Sequence, residues 1–182
     1  STRDYLEKIG SSAQHLLSLI NDILDMSRIE SGRMIIRNEE FSFAKFLEQI
    51  NIIASGQCEE KGLTYDCRLS GPVAPYYIGD QGKLRQAIIN LLGNAVKFTA
   101  KGGRVDFLVD RIGGFDGKSA FRFTVKDTGI GMSREFLPKI FDTFSQENAT
   151  AANKYGSSGL GMAITKSIIE MMNGKIEVTS EK

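Results

Sequence analysis

Apolar residues near the start of the chain recur at alternating three- and four-residue spacing. Leu6, Ile9, Ala13, Leu16, Ile20 and Ile23 form the a/d seam of a helix that packs in a bundle. Leu17 and Leu24 widen the stripe on one side, which predicts a bundle of more than two helices with partners supplied from elsewhere. Ser31-Gly32 ends the helix.

From Arg33 the pattern turns extended as far as Phe41, and Ser42 is placed to N-cap a helix carrying Phe46, Leu47, Ile50, Ile53 and Ala54, closed by Lys61-Gly62. Leu63 to Leu69 reads as a strand and Gly71-Pro72-Val73-Ala74-Pro75 as a loop. Asp80 then caps a long amphipathic helix whose apolar positions are Leu84, Ala87, Ile88, Leu91, Leu92 and Ala95. Val105, Phe107 and Val109 alternate as one strand and Phe121, Phe123 and Val125 as the next. A hairpin turn over Gly113 to Gly117 joins them, which implies antiparallel pairing. A last helix runs from about Gly159 to Met172 and stops at Asn173-Gly174, after which Ile176 and Val178 begin another strand. This order predicts an α+β class: a two-layer α/β sandwich with helices on one face of a mostly antiparallel, mixed sheet, preceded by a long bundle helix.

The 182 residues suffice for one main domain plus an appended helix. Twenty-three Lys and Arg against twenty-two Asp and Glu leave a net charge of +1, so no electrostatic field argues for nucleic acid. Cys58 and Cys67 stand apart, without a C-x-x-C or a neighbouring His, which indicates neither a disulfide framework nor a zinc site and fits a reducing, cytoplasmic setting. No apolar run approaches the roughly twenty residues that span a bilayer, and no signal peptide is visible. Beginning at Ser1 without Met, the chain reads as an excised fragment, which leaves room for a membrane anchor in a longer parent.

Four short segments carry candidate chemistry. In Asn90-Leu-Leu-Gly-Asn94-Ala-Val-Lys97-Phe98 the two Asn share one helix face, about 5–6 Å apart at Cβ, with Lys97 a turn beyond. Amide oxygens are hard ligands suited to Mg²⁺, which keeps several waters when substrate phosphates also hold it, and Lys97 can neutralise phosphate charge. In Asp127-Thr-Gly129-Ile-Gly131 a carboxylate ends an apolar strand, where it can accept a hydrogen bond from the exocyclic amine of adenine but not pair with the oxygen of guanine. Gly129 and Gly131 let the backbone approach the ring. Gly156-Ser-Ser-Gly159-Leu-Gly161 opens the last helix, whose free N–H groups suit a phosphate tail. A dinucleotide fingerprint would need a strand before these glycines, whereas the polar stretch Ser145 to Lys154 precedes them and reads as a lid over a nucleotide. Phe141 and Phe144 anchor its near end.

In this order the segments resemble the nucleotide-binding domain of sensor histidine kinases, and the resemblance covers the whole chain. Asn90 to Phe98 resembles the family's N box, Asp127 to Gly131 its first glycine box, Phe141 to Phe144 its F box and Gly159 to Gly161 its second glycine box. The resemblance implies the Bergerat ATP-binding fold over residues 32–182, ending before its last strand, with ATP and Mg²⁺ as cofactors. Asn94 is then the Mg²⁺ ligand, Asn90 and Lys97 act in phosphoryl transfer, and Asp127 reads adenine. Further nucleotide contacts implied are Phe98, Gly129, Gly131, Met132, Phe144, Gly156, Ser158, Gly159, Leu160, Gly161 and Met162. Ser157 and Met162 depart from the family's usual glycine and leucine. Residues 1–31 resemble the second helix of the dimerisation and histidine-phosphotransfer hairpin. The implied partners are the missing first helix with its acceptor histidine, a response regulator receiver domain, and a second copy of the parent through the bundle helices.

The single histidine, His15, falls at position c, outside the seam, and Leu16 follows it where the acceptor motif has an acidic residue. It reads as a solvated surface residue, so the acceptor lies outside this chain. Two rival functions share the fold. Gyrase-like, chaperone and mismatch-repair ATPases use a glutamate where this helix has Asn90, and an amide cannot take a proton from water. A degenerate binding module would have lost a box, and all are intact. The expectation is therefore a unit that passes the γ-phosphoryl of ATP to a protein side chain.

Overall fold

In a computed structural model of the chain, residues 1–147 and 158–182 are described. Helix α1 (Thr2–Glu30) opens with a full capping box between Ser1 and Asp4, and Gly32 adopts φ 68 just past its end. None of its residues is buried, and Leu6, Ile9, Leu16, Ile20 and Ile23 of the predicted seam are all exposed. It touches the rest of the molecule through its last third, where Met26 and Ile29 pack on a small core made by Met34, Ala87, Leu160, Ile164 and Ile168.

Strand β1 (Glu39–Ser42) leads into α2 (Phe43–Lys61), capped by Ser42 and closed by Gly62 at φ 73. Strand β2 (Thr64–Ser70) follows, then β3 (Tyr76–Gly79), which pairs antiparallel with β1. The sequence reading has no counterpart for β3: it is four residues long, follows Pro75 and exists only through this long-range pairing. Helix α3 (Gln81–Phe98) starts at Asp80 as predicted, whose carboxylate accepts from the N–H groups of Lys83 at 3.0 Å and Arg37 at 2.9 Å. At its other end Lys61 Nζ donates to the carbonyls of Val96 and Lys97 at 2.7 and 2.8 Å, and the Val96 carbonyl also accepts from Thr99 N–H at the helix cap.

Strands β4 (Arg104–Phe115) and β5 (Lys118–Asp127) form the predicted antiparallel hairpin, and β2 joins β4 in parallel, giving the order β2-β4-β5. The hairpin turn is shorter than predicted. Only Asp116 (φ 55) and Gly117 (φ 73) form it, as a left-handed pair that matches strand twist, while Gly113 and Gly114 belong to the ladder beyond an irregularity at Ile112.

Helices α2 and α3 cover one face of this mixed sheet, which agrees with the predicted sandwich. Phe46, Ile50 and Cys58 of α2 and Ile88 and Leu92 of α3 bury against Val105, Phe107 and Val109. Truncating such a side chain, Ile50→Ala for example, costs about 2–5 kcal/mol in lost transfer energy and cavity. Phe43 and Tyr77 meet Phe121 at 5.0 and 5.2 Å between ring centroids, joining the small β1–β3 sheet to the main one. Helix α4 (Gly161–Met171) packs against α3 and ends with Asn173 at φ 59 and Gly174. The predicted strand at Ile176 and Val178 is not seen. These residues line the same cleft as β5 without ladder hydrogen bonds, because alternation supplies a face but not a partner.

Candidate functional site

A broad, open cleft of about 2360 Å³ runs between β5 and residues 171–181 and past α3, the start of α4, the second half of α1 and the small β1–β3 sheet. Asn90, Asn94 and Lys97 all line it, as their spacing on α3 requires. Asn90 is held in place: its Nδ2 donates to Thr165 Oγ1 at 2.9 Å and lies 3.8 Å from Met162 Sδ, both on α4. A Cβ on Gly161 would stand 2.6 Å from Asn90 Oδ1, so the N-terminus of α4 comes against the α3 amide because Gly161 has no side chain. Burial pushes the Lys97 ammonium toward a lower pKa, and the nearby Asp22 carboxylate partly restores it.

Asp127, at the end of β5, lines the same cleft. Its Oδ1 accepts from Gly129 N–H at 2.8 Å, and Oδ2 makes no hydrogen bond among the described residues. Gly129 is pressed against the end of α3, where a Cβ would meet Phe98 O at 2.5 Å, and Ile130 N–H donates to that carbonyl at 3.1 Å. The glycine turn is thereby stitched to the Asn-bearing helix. Gly131 takes φ 69, and Gly131, Met132 and Phe98 also line the cleft. Beyond them Glu147 accepts from Ser133 N–H at 3.0 Å, tying the start of the polar stretch to this wall.

Gly159 takes φ 72 and lies so close to Phe144 that a Cβ would meet Phe144 Cα at 2.7 Å. Phe144 itself has φ 58, uncommon for a bulky residue, so the F segment and the second glycine segment fix one another. Lys166 of α4 lies 5.4 Å from the centre of the Phe141 ring, a further tie. Ser158, Gly159, Gly161 and Met162 line the cleft. Helix α4 begins at Gly161, and its N-cap residue, Leu160, offers no side-chain cap for the first N–H groups.

Two predicted contacts are not brought to the cleft. The Phe144 ring is 72% exposed and outside the lining, because its left-handed backbone turns it away. Leu160 is buried among Ala87, Ile164 and Ile168, where it serves the core between α3 and α4. Gly156, Ser157 and most of the predicted lid lie outside the described residues. Sequence reasoning missed Thr165, which fixes Asn90, and Asp22, which reaches the cleft from α1. Thr165 stands four residues after Gly161, one turn along α4, and that spacing was the available signal.

The donor set fits a magnesium nucleotide. Among the described residues no cluster of three His, Cys, Asp or Glu could hold a metal alone, whereas the Asn94 amide, Lys97 and an uncapped helix N-terminus suit a metal shared with phosphates.

The family described as histidine kinase-, DNA gyrase B-, and HSP90-like ATPase matches residues 79–182, and the histidine kinase A (phospho-acceptor) domain matches residues 1–32. The chain is 38% identical over 99% of its length to the autoinducer 2 sensor kinase/phosphatase LuxQ of Vibrio parahaemolyticus. It is 34% identical over 98% of its length to the signal transduction histidine-protein kinase BarA of Escherichia coli. It spans only 21% and 19% of those two proteins. Among solved structures it superposes on full-length ShkA in complex with AMPPNP with a TM-score of 0.74 at 32% identity, over 94% of this chain and 34% of that one. The histidine kinase AdeS of Acinetobacter baumannii, at 18% identity and a TM-score of 0.72 over 97% of this chain and 77% of that one, shares the fold. With those matches falling on the helix, the Asn face and the glycine turns described above, the chain belongs to the sensor histidine kinases, as a member of the histidine kinase-, DNA gyrase B-, and HSP90-like ATPase family.

Proposed function

We propose that this chain is the ATP-binding, phosphoryl-donating unit of a two-component sensor kinase, with residues 1–31 as the second helix of the phosphotransfer hairpin and 32–182 as the catalytic domain. The observation that carries the proposal is the meeting of Asn90, Asn94 and Lys97 on α3 with the glycine-opened, uncapped start of α4 across one cleft. Asp127 receives the adenine amine, and Phe98, Gly129, Gly131 and Met132 form the wall beside the ring. Lys97 and the first N–H groups of α4 hold the phosphate tail, with Ser158, Gly159, Gly161 and Met162 around it. Asn94 would hold Mg²⁺, which would supply charge neutralisation for the phosphate tail.

Transfer to an imidazole forms an N–P bond and breaks the bond from Pγ to the ADP oxygen, so no group on this chain has to take a proton from water. Asn90, an amide fixed by Thr165, suits that requirement and does not suit hydrolysis. The acceptor is a histidine on a helix that packs on the exposed seam of α1. His15 is exposed and off that seam. The histidine kinase ThkA has been solved in complex with the response regulator protein TrrA, at 19% identity to this chain, and a receiver domain is the proposed recipient here too. A cytoplasmic location is proposed with it; among the described residues no helix is long and apolar enough to cross a membrane.

The test supplies γ-labelled ATP and Mg²⁺ to the chain alone and to the chain mixed with a histidine-bearing hairpin from the parent. The expected outcome is label on the added hairpin only. Acid-labile label on His15, or fast phosphate release without any acceptor, would replace this reading with self-phosphorylation or with an ATPase.

A further inference from the structure

Asp22 belongs to α1, yet its carboxylate stands in the catalytic cleft. Ser158 Oγ donates to Asp22 Oδ2 at 2.6 Å across 136 positions of sequence, and the same hydroxyl accepts from Leu160 N–H at 3.1 Å, at the threshold of α4. Asp22 also lies close enough to Lys97 to favour its charged form. Asp22, Asn94, Lys97, Ser158 and Gly161 line one cleft. A negative group linked through a hydroxyl to a helix N-terminus, in a cleft that a lysine also lines, occupies the setting that suits a phosphate.

The next turn of α1 is held separately. Gln86 Nε2 donates to Asp25 Oδ2 at 2.8 Å, and neither residue lines the cleft. Met26 and Ile29 pack on the core beneath α4. The helix is thus docked by contacts that carry no anion into the site, plus one that does.

We infer that Asp22 is an internal stand-in for the phosphate tail of the nucleotide: while α1 is docked, its carboxylate holds Ser158 in the cleft that Lys97 also lines, and ATP has to displace it. A carboxylate and a polyphosphate repel strongly in a half-buried site, so nucleotide binding and docking of α1 oppose each other. The coupling is reciprocal: whatever draws α1 away from α4 raises affinity for ATP, and ATP loosens α1. This inference rests on the nucleotide reading of the cleft.

Asp22→Asn tests it with little risk to folding, because the amide oxygen can still accept from Ser158 while the charge is gone. Calorimetry on the 182-residue chain would compare ATP with Mg²⁺ against adenosine, which lacks phosphates. Asp22→Asn is expected to bind ATP about three- to tenfold tighter, the range of one partly screened charge contact, with adenosine affinity unchanged. Asp25→Asn, whose amide oxygen can still accept from Gln86 and keep α1 docked, is expected to change neither. In the wild type, ATP is expected to speed amide exchange in the last third of α1. Weaker ATP binding by Asp22→Asn would make Asp22 a metal or phosphate-site ligand and overturn the inference. Equal gains for ATP and adenosine in either variant would mean that the helix merely covers the cleft, which also overturns it, as would an unchanged ATP affinity. A wild-type chain that binds neither ligand would overturn the nucleotide reading itself.

Discussion

Asn90 occupies the space that a side chain on Gly161 would need, with its Oδ1 2.6 Å from the place of that missing Cβ. The amide cannot move aside freely, because Thr165, buried in α4, accepts a hydrogen bond from its Nδ2 at 2.9 Å. The first residue of one helix and the polar face of another are therefore a single fitted unit. This contact sets the distance between the Asn face and the N–H groups of α4.

Gly161→Ala tests that fit. By helix propensity alone alanine would stabilise α4 by about 1 kcal/mol. Against this, the added methyl drives the Asn90 amide off Thr165 and strands a buried hydroxyl, which costs about 1–3 kcal/mol. A net loss of about 1 kcal/mol is expected in denaturant unfolding, with ATP affinity down about tenfold. In an Asn90→Ala background the same substitution should cost nothing, and simple additivity of the two changes would refute the coupling.

Asp127→Asn isolates the base contact. The asparagine oxygen can still accept from Gly129 N–H, so the turn survives and the melting temperature should stay within a few degrees of wild type. What is lost is a carboxylate acceptor for the adenine amine, a charge-assisted bond worth about 1.5–3 kcal/mol, or roughly ten- to a hundredfold in ATP affinity. Titration with ATP measures it. An unchanged affinity would remove Asp127 from the site.

The lower part of this site was legible in the sequence, since spacing on one helix determines that Asn90, Asn94 and Lys97 face the same way, and Asp80 and Ser42 announce their helices by capping. What stayed hidden depends on distant partners. Strand β3 exists only by pairing with β1, and the Ser158 contact of Asp22 spans 136 positions. Leu160 sits inside a glycine-rich motif that points to a ligand, but a residue at the start of a helix faces the core or the cleft according to how that helix packs. The turn at Asp116-Gly117 was within the predicted span, and the extra glycines at 113 and 114 blurred it because an irregular ladder tolerates them as readily as a turn does.

Asn94→Ala separates metal from nucleotide. The wild-type chain is expected to bind ATP more tightly with Mg²⁺ than in a chelator. Loss of the one protein ligand should remove most of that gain, about ten- to a hundredfold by the usual cost of disturbing a metal site. Adenosine affinity should be unaffected. Retention of the full magnesium effect would mean that Asn94 does not hold the metal.

Lys97 gives the site a pH dependence whose sign follows from its burial. The folded chain holds this ammonium with a lowered pKa, chiefly through desolvation and only partly offset by Asp22. Below the folded value the group is charged in both folded and unfolded chains, and the full cost of burying it is present. As pH climbs through the folded value toward the ordinary lysine range, the folded chain releases the proton first. The unfolded chain then binds more protons, and stability rises across that window. Binding works in the opposite sense. A phosphate tail favours the charged lysine, so ATP takes up a proton on binding in the same alkaline window, and its affinity falls as pH rises. Phosphate groups titrate near pH 6 and add nothing there. Lys97→Met should bind ATP weakly at neutral pH, show a flat profile in the alkaline range, and lose the rise in stability that the wild type gains there. Parallel profiles for the two proteins would show that another group carries the dependence.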